Sequence, residues 1–416
     1  MAELLGVTSL IACLFVVGIL SFFYKPARYA LLVAFALRAL AACVHYWIFP
    51  LPHGVADARI FEQVAWGWAQ EGLFHAVLQF NPSASYVYSW VASLIYAVTA
   101  RSALMLQALN ALGGTLIVLN VYLIARELWG RQRAQTVAWF VALFPFLIQI
   151  SAVTHREVAI VYPFTLGSLF LVRWVRRDKV RLRHLGAGLL FFGIATIIHG
   201  GMIAAIFGAV TFLVASAFKN SLKRLVVGQV KISAMVVFLI IGGGGIGMAV
   251  GGGIPEISKV GNLTGIGAEM IASMAEARAE GEAAYLEETF PTSLTEVVLQ
   301  MPLRVVYFLF APMPWHVSSA GHLIALLTDV TGYIIVFFGL WGSRHQIVHE
   351  RGALALLAIL LAAIAAFALV TSNFGTAMRH RAKFIPILAA LWASPLFRFR
   401  IVLKSRTPKS SAQENN

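Results

Sequence analysis

Residues 104–125 read LMLQALNALGGTLIVLNVYLIA and contain no charged side chain, and Arg126 and Glu127 follow at once. A helix over this stretch rises about 1.5 Å per residue. It therefore reaches across the hydrocarbon core of a bilayer, which is about 30 Å thick. The stretch predicts a membrane-spanning helix that ends in a charged loop.

The same apolar pattern recurs along the chain and predicts an all-α polytopic membrane protein with about eleven transmembrane helices. The predicted spans cover residues 4–23, 29–49, 104–125, 134–153, 158–174, 185–199, 201–218, 228–250, 322–341, 353–371 and 384–397. Of the 416 residues, 60% are hydrophobic and only 12% are charged. So few charges exclude a cytoplasmic enzyme, a secreted disulfide scaffold and a disordered regulator, because no aqueous surface can be built from them.

The net charge of +14 comes from basic residues in short segments between the apolar runs. These segments are Lys25 with Arg28, 126–133, 173–183, 219–224, 344–351 and the tail 398–409. Eleven spans place all six on one side, which the positive-inside rule identifies as cytoplasmic. The N-terminus is then predicted outside, and the charge sets topology rather than indicating a nucleic-acid partner.

One further apolar run, residues 86–100, is predicted not to cross the membrane. If it crossed, every later basic loop would lie on the wrong side. Its aromatic residues Tyr86, Tyr88, Trp90 and Tyr96 suit the headgroup region. We therefore expect an interfacial or re-entrant helix within the first outer loop.

These assignments divide the chain into four predicted parts. They are an additional N-terminal transmembrane helix (1–28), a catalytic transmembrane core (29–218) with the first outer loop (51–103), a C-terminal transmembrane region (219–403) with a large outer loop (254–321), and a cytoplasmic tail (404–416). The large loop is rich in glutamate. It is interpreted as a solvated lid or connector, and contact with an acceptor or a metal ion is the alternative.

The first candidate catalytic residue is Asp57, which follows the second predicted span closely. An acid that is partly desolvated just above the bilayer suits a general base acting on a hydroxyl nucleophile. The alternative is a helix cap, since a helical pattern begins at Ala58.

The triplet His155-Arg156-Glu157 occupies a very short predicted outer turn between two apolar runs. Its arginine contradicts the positive-inside rule, so topology alone does not explain it. Either the three residues form a local ion pair that caps the next helix, or they bind substrate. In the second case Glu157 is a second acid beside Asp57 that holds a metal ion or the sugar, and Arg156 or His155 lies near a phosphate.

A third charged group, Arg379, His380, Arg381 and Lys383, is also predicted on the outer side. Arginines and a lysine at an interface suit a lipid phosphate or diphosphate. The alternative is a miscounted helix pair that would place this loop inside. His199, at a predicted outer helix junction, is a weaker candidate for substrate binding, because a lone histidine beside glycines is more often structural.

This arrangement resembles the GT-C class of integral membrane glycosyltransferases, which includes the dolichyl-phosphate-mannose protein mannosyltransferases and bacterial relatives that use polyprenyl-phosphate sugars. The matching features run roughly from residue 29 to 175. They are Asp57 after a span, the interfacial run 86–100, the run 103–133, Phe144-Pro145, and Glu157 opening the next helix. Beyond these, 379–383 is similar to a cationic segment near the lipid phosphate.

The resemblance implies that Asp57 assists the acceptor nucleophile and that Glu157 orients substrate or metal. The chain departs from the class in its additional first helix and in having Glu rather than the more usual Asp at position 157. Because of the second departure, it stays open whether the protein uses a divalent metal ion. If it does, the ion would bind Asp57 and Glu157. One base and a good leaving group predict inversion at the sugar carbon, with no covalent intermediate.

We therefore expect an inverting hexosyl- or pentosyltransferase that moves a sugar from a polyprenyl-phosphate donor to a hydroxyl on the outer face of the membrane. By resemblance, the expected location is a bacterial inner membrane, the process envelope or extracellular polysaccharide synthesis, and the acceptor a glycan, lipid or protein. The alternatives are a polysaccharide polymerase or ligase that uses diphosphate-linked glycans, and a transporter or flippase of lipid-linked sugars. Against transport, no internal repeat is evident in the sequence.

Overall fold

The computed structural model describes residues 1–52, 54–55, 57–82, 85–176, 182–225, 272–273, 275–276, 283–286, 291 and 293–393. Within these ranges the regular secondary structure is helical, and turns and short loops join the helices. The helices are α1 (Ala2–Phe23), α2 (Arg28–Trp47), α3 (Asp57–Gln70), α4 (Leu73–Leu78), α5 (Val87–Val98), α6 (Ala103–Trp129), α7 (Arg131–Leu143), α8 (Pro145–Ser151), α9 (Glu157–Arg176), α10 (Leu182–Ile198), α11 (Ile203–Leu225), α12 (Leu294–Phe310), α13 (Ala320–Ala325), α14 (Thr331–His349), α15 (Arg351–Leu369), α16 (Phe374–Arg381) and α17 (Ile385–Ala390).

Six helical segments of the described chain are long and apolar enough to cross a bilayer. They are Ala2–Phe23, Lys25–Trp47, Ala103–Trp129, Glu157–Arg176, Ala320–His349 and Arg351–Leu369. The all-α multi-pass architecture is therefore confirmed. The count of eleven is not confirmed, since α10 and the apolar part of α11 are shorter helices and the predicted span 228–250 lies outside the described residues.

Helix α6 lies at the centre of the bundle, and α1, α2, α7 and α9 pack against it. Most of its side chains are buried by these neighbours. By contrast, α1 exposes large apolar side chains such as Phe15 and Phe22. In a bilayer, exposed apolar side chains face lipid, so α1 forms an edge of the bundle and α6 its core.

The seventh candidate span is broken, because α7 and α8 meet at 60° just before Pro145. Such a break leaves the last carbonyls of α7 without partners in the helix. The buried Arg38 of α2 satisfies two of them: its guanidinium donates to the carbonyls of Ala142 at 3.1 Å and Val141 at 3.4 Å. Arg38 is thus paired within the bundle, which explains an arginine at membrane depth.

The predicted interfacial helix corresponds to α5, which has 12 residues and is too short to cross a hydrocarbon core. It packs against α3, which carries Asp57 at its first position. The buried Glu62 of α3 holds this pair in place: it accepts hydrogen bonds from Tyr96 at 3.0 Å and from Arg101 at 2.7 and 2.9 Å. The helices after the second span therefore form a fixed layer over one end of the bundle.

The predicted large loop 254–321 contains a helix that was not predicted from the sequence. This helix, α12, packs against α15 and α16, so its residues are not a free connector. Residues 283–286 lie across the start of α16, where the backbone N–H of Tyr285 donates to the carbonyl of Ser372 at 2.9 Å. Most of the glutamates in 254–293 and the tail 404–416 lie outside the described residues.

Candidate active site

Three segments meet at the end of the bundle covered by α3 and α5: the start of α3, the turn before α9, and the end of α16. The hydroxyl of Thr154 donates to the carbonyl of Ala58 at 2.9 Å and so joins the first two segments. Asn110 of α6 fixes the same turn, because its amide donates to the carbonyls of Val153 at 2.6 Å and His155 at 3.1 Å. The positions of the two acids are therefore set by hydrogen bonds to the core helix and to each other's segment.

The carboxylate of Asp57 forms an ion pair with the guanidinium of Arg379. The Asp57 side chain is 46% exposed and the Arg379 side chain 26% exposed. Asp57 is the first residue of α3, where the helix dipole favours a negative charge. This pair is accessible from outside the protein and combines a potential base with a potential phosphate ligand.

Glu157 forms a second ion pair, with Lys383, and here both side chains are almost fully buried. The Lys383 ammonium lies 2.7 Å from Oε2 of Glu157 and 2.9 Å from Nδ1 of His380. Burial lowers the pKa of Lys383, and the charge of Glu157 opposes this fall. The Lys383 ammonium lies where it neutralises the buried carboxylate.

His155 is buried beside these pairs, with Nδ1 3.8 Å from Oε1 of Glu157. Burial lowers the pKa of His155 to about 4, so its ring is neutral at pH 7. Within the described chain, neither of its ring nitrogens has a hydrogen-bond partner. The neighbouring Arg156 donates to the carbonyl of Ser85 at 3.0 Å and lies over the ring of Phe61, so it ties the turn to the outer layer.

His199 lies next to the buried pair through contacts between rings. Its ring centroid is 5.4 Å from that of His380 and 5.2 Å from that of Phe367. The Lys383 ammonium also lies over the Phe367 ring, at 5.5 Å. The structure thus brings His199 to the same cluster as the other predicted site residues, at its buried end.

Arg381 is the one predicted residue that points away from this cluster. Its guanidinium is fully buried and pairs with Asp329, a residue of the π-helical turn Leu326–Val330. It also donates to the carbonyls of Leu309 at 2.9 Å and Ala311 at 2.6 Å, at the end of α12. Its N–H groups donate to acceptors within the protein, so Arg381 contributes to the packing of α12, α14 and α16. No atom of its guanidinium is exposed for contact with a phosphate.

The spacing of the cations explains this difference. Residues 379 and 383 are four apart and lie on one face of the helical segment, whereas residue 381 lies on the opposite face. Asp329 was not among the sequence candidates. The signal that could have found it is an acid inside an apolar run, which is rare at membrane depth and almost always paired.

The donor set does not suit the divalent metal ion that the sequence left open. In the ranges that the structure describes, no three His, Cys, Asp or Glu side chains lie together in a way that could hold a metal. Asp57 and Glu157 are each in contact with a cationic side chain of the protein. A hard divalent cation needs several free oxygen ligands, and these two carboxylates do not offer them.

Part of the chain matches a known protein family. Residues 83–241 match the family model of the dolichyl-phosphate-mannose-protein mannosyltransferases. The predicted resemblance to the GT-C membrane glycosyltransferases is thereby confirmed. The matched part includes His155, Arg156, Glu157 and His199, and it lies between Asp57 and the cations of α16. No curated protein matches the chain.

Among solved structures, the chain is similar to the oligosaccharyltransferase of the archaeon Archaeoglobus fulgidus. For the apo crystal structure the TM-score is 0.45 at 13% identity, over 89% of this chain and 50% of that one. For the complex with an inhibitory peptide and a dolichol-phosphate the values are 0.46 and 14%, over 88% and 50%. The chain therefore spans about half the length of these proteins.

Proposed function

We propose that the protein is a membrane glycosyltransferase that moves a sugar from a polyprenyl-phosphate donor to an acceptor hydroxyl on the outer face of the membrane. The observation that carries this proposal is the accessible pair of Asp57 and Arg379, a carboxylate and a guanidinium side by side above the bundle. The family match supports the same class of reaction and the same class of lipid-linked donor. We place the reaction in envelope or extracellular polysaccharide synthesis at a bacterial inner membrane.

In the proposed reaction, Asp57 accepts the proton of the acceptor hydroxyl as its oxygen attacks the anomeric carbon. The bond from that carbon to the phosphate oxygen breaks, and its electron pair leaves with the polyprenyl phosphate. Attack from the face opposite the leaving group inverts the configuration of the sugar carbon. Arg379 stabilises the charge that develops on the leaving phosphate.

We propose that the contact between Arg379 and Asp57 sets the order in which donor and acceptor are engaged. While the Asp57 carboxylate contacts the Arg379 guanidinium, its contacting oxygen is not free to accept the proton of an acceptor hydroxyl. The donor phosphate competes with Asp57 for the same guanidinium, since Arg binds phosphate and carboxylate with the same forked geometry. Donor binding then frees Asp57 for the acceptor, so the base acts once the sugar is in place.

We propose that the remaining residues of the cluster form the binding site for the donor. His155 lies behind the accessible pair, and we propose that its neutral ring supports the donor site from within, beside the Glu157 carboxylate. Arg156 holds the turn that carries Glu157 and adds positive charge near the phosphate. The buried pair of Glu157 and Lys383 forms one wall of the site, together with the half-buried rings of His380 and His199.

The test is sugar transfer by the purified protein in detergent, with a panel of polyprenyl-phosphate and polyprenyl-diphosphate sugars. We expect turnover of a monophosphate donor, and Asp57→Asn to lower kcat by about 10²–10⁴-fold, the usual contribution of a general base. Glu71→Gln is the matched control: it removes an exposed acid just after the same helix and leaves transfer unchanged.

Other outcomes would support a different function or a different base. Turnover of diphosphate-linked glycans alone would favour a polymerase or ligase. A folded Asp57→Asn protein with full activity would contradict the role of Asp57 as base. No turnover with any donor, together with retained binding of polyprenyl lipid, would favour a flippase.

A further inference from the structure

Arg379 and Lys383 reach the two candidate acids from one turn of helical chain. Arg379 lies in the last turn of α16, and Lys383 follows in the turn where the backbone N–H of Lys383 donates to the carbonyl of His380 at 3.2 Å. Arg379 binds the exposed acid, Asp57, and Lys383 binds the buried acid, Glu157. Each carboxylate thus has its own cation, and both cations come from the same short segment.

The surroundings of Glu157 leave little room for any other cation. One carboxylate oxygen is 2.7 Å from the Lys383 ammonium, and the other is 3.8 Å from Nδ1 of His155. The Lys383 side chain is fully buried. Mg²⁺ and similar ions keep several water ligands, and a site closed by an ammonium and a ring does not admit them.

The two cations together carry two positive charges, the charge of one divalent metal ion. One lies beside the accessible carboxylate of Asp57 and the other beside the buried carboxylate of Glu157. The segment between them is held from behind by the buried pair of Arg381 and Asp329. Of the two, Arg379 has the exposed side chain and can stabilise an anion that develops on a bound donor.

We propose that Lys383 takes the place of a divalent metal ion at Glu157, so that sugar transfer by this protein needs no metal. Lys383 neutralises Glu157 permanently, and Arg379 provides the mobile contact with the donor phosphate. The inference about transfer rests on the proposed function. The inference about metal binding rests on the ion pair alone and is tested separately.

The binding test uses Mn²⁺ alone and follows the electron paramagnetic resonance signal of the free ion in detergent. We expect the wild-type protein to bind no Mn²⁺ at this site. Lys383→Met removes the ammonium and leaves the Glu157 carboxylate free, so this variant should take up Mn²⁺ at concentrations about a hundredfold below the highest at which wild type shows no uptake. Lys25→Met, the same change at an exposed lysine, should bind Mn²⁺ as wild type does.

The activity test uses protein stripped of metal with EDTA. Wild-type transfer should be unchanged by EDTA or by added Mn²⁺, whereas the transfer that remains in Lys383→Met should depend on Mn²⁺. Loss of wild-type transfer in EDTA with recovery in Mg²⁺ or Mn²⁺ would overturn the proposal.

Two further results keep the binding test decisive if a variant or the assay fails. Mn²⁺ binding by wild type that Glu157→Gln abolishes would overturn the proposal, even if no donor is turned over and even if Lys383→Met does not fold. Absence of such binding by wild type, together with no transfer from any donor, would count against the proposed function and would support the role of Lys383 at Glu157.

Discussion

Burial keeps the ring of His155 neutral, and we therefore expect the stability of the folded protein to depend on pH. The pKa of His155 falls to about 4 in the folded protein, against about 6.5 in an unfolded chain. Between these values the unfolded chain binds more protons than the folded one, so stability rises with pH through this window. On lowering the pH from about 6.5 to about 4 we expect this residue alone to cost up to about 3 kcal/mol of stability.

The measurement is the thermal midpoint of the protein in detergent as a function of pH. His155→Gln removes the titrating group, and its midpoint should fall less steeply between pH 6.5 and 4 than that of wild type. His345→Gln, at an exposed histidine, should keep the wild-type slope. Equal slopes for wild type and His155→Gln would show that His155 is not buried in its neutral form.

The residues that carry charge were predictable from the sequence, but their pairing was not. Asp57 and Glu157 stand out as acids next to apolar runs, and Arg379 and Lys383 stand out because cations in an outer loop contradict the positive-inside rule. Which cation contacts which acid depends on how α3, α9 and α16 pack, and no local pattern contains that information. Arg381 shows the limit most clearly, since its partner, Asp329, was not a candidate from the sequence at all.

At the scale of elements, the contact between α11 and α15 depends on one glycine. A Cβ atom at Gly208 would lie 2.5 Å from the carbonyl oxygen of Ala358, and this backbone atom cannot move aside as a side chain can. Gly208→Ala therefore forces the two helices apart, and we expect it to lower stability by about 1–3 kcal/mol.

Gly193→Ala is the matched control for this change. Gly193 lies in α10, and a Cβ atom there would meet no atom within 4 Å. Alanine is the better helix former by about 1 kcal/mol, so this variant should be as stable as wild type or slightly more stable. Thermal unfolding in detergent distinguishes the two. If Gly208→Ala behaves like Gly193→Ala, the close packing of α11 on α15 is wrong.

Spans with uniform apolar composition were predicted well, and irregular elements were not. The helices α1, α2, α6 and α9 follow directly from the length of their apolar runs. The 60° bend before Pro145 is consistent with the proline, but the contact between Arg38 and the end of α7 could not be predicted from the local sequence. The helix α12 was missed because Glu296, Pro302 and Arg304 interrupt its apolar sequence.

At the scale of the whole molecule, the distribution of charge predicts the orientation in the membrane. We expect the two ends of α6 on opposite sides of the bilayer, because its 27 residues extend over about 40 Å and are apolar enough to cross. We expect the α3–α5 layer outside and the loop at Arg131 inside. The two cysteines, Cys13 and Cys43, are first replaced, so that single cysteines can be introduced for labelling.

The measurement uses Glu71→Cys and Arg131→Cys in intact cells, with a maleimide that does not cross membranes. Glu71→Cys should react at once, and Arg131→Cys only after the membrane is permeabilised. The reverse result would mean that the site faces the cytoplasm. Reaction of both cysteines in intact cells would mean that α6 does not cross the membrane.

The separation of the site residues along the chain has a consequence for synthesis. Asp57 and Arg379 are 322 positions apart. At roughly 5–20 residues per second, a ribosome takes roughly 15–65 s to make the chain between them. During that time α9 is made, with Glu157 at its first position, before Lys383 exists. A nascent or truncated chain therefore carries Glu157 without its Lys383 partner, and this feature distinguishes it from the finished protein for any quality-control protease.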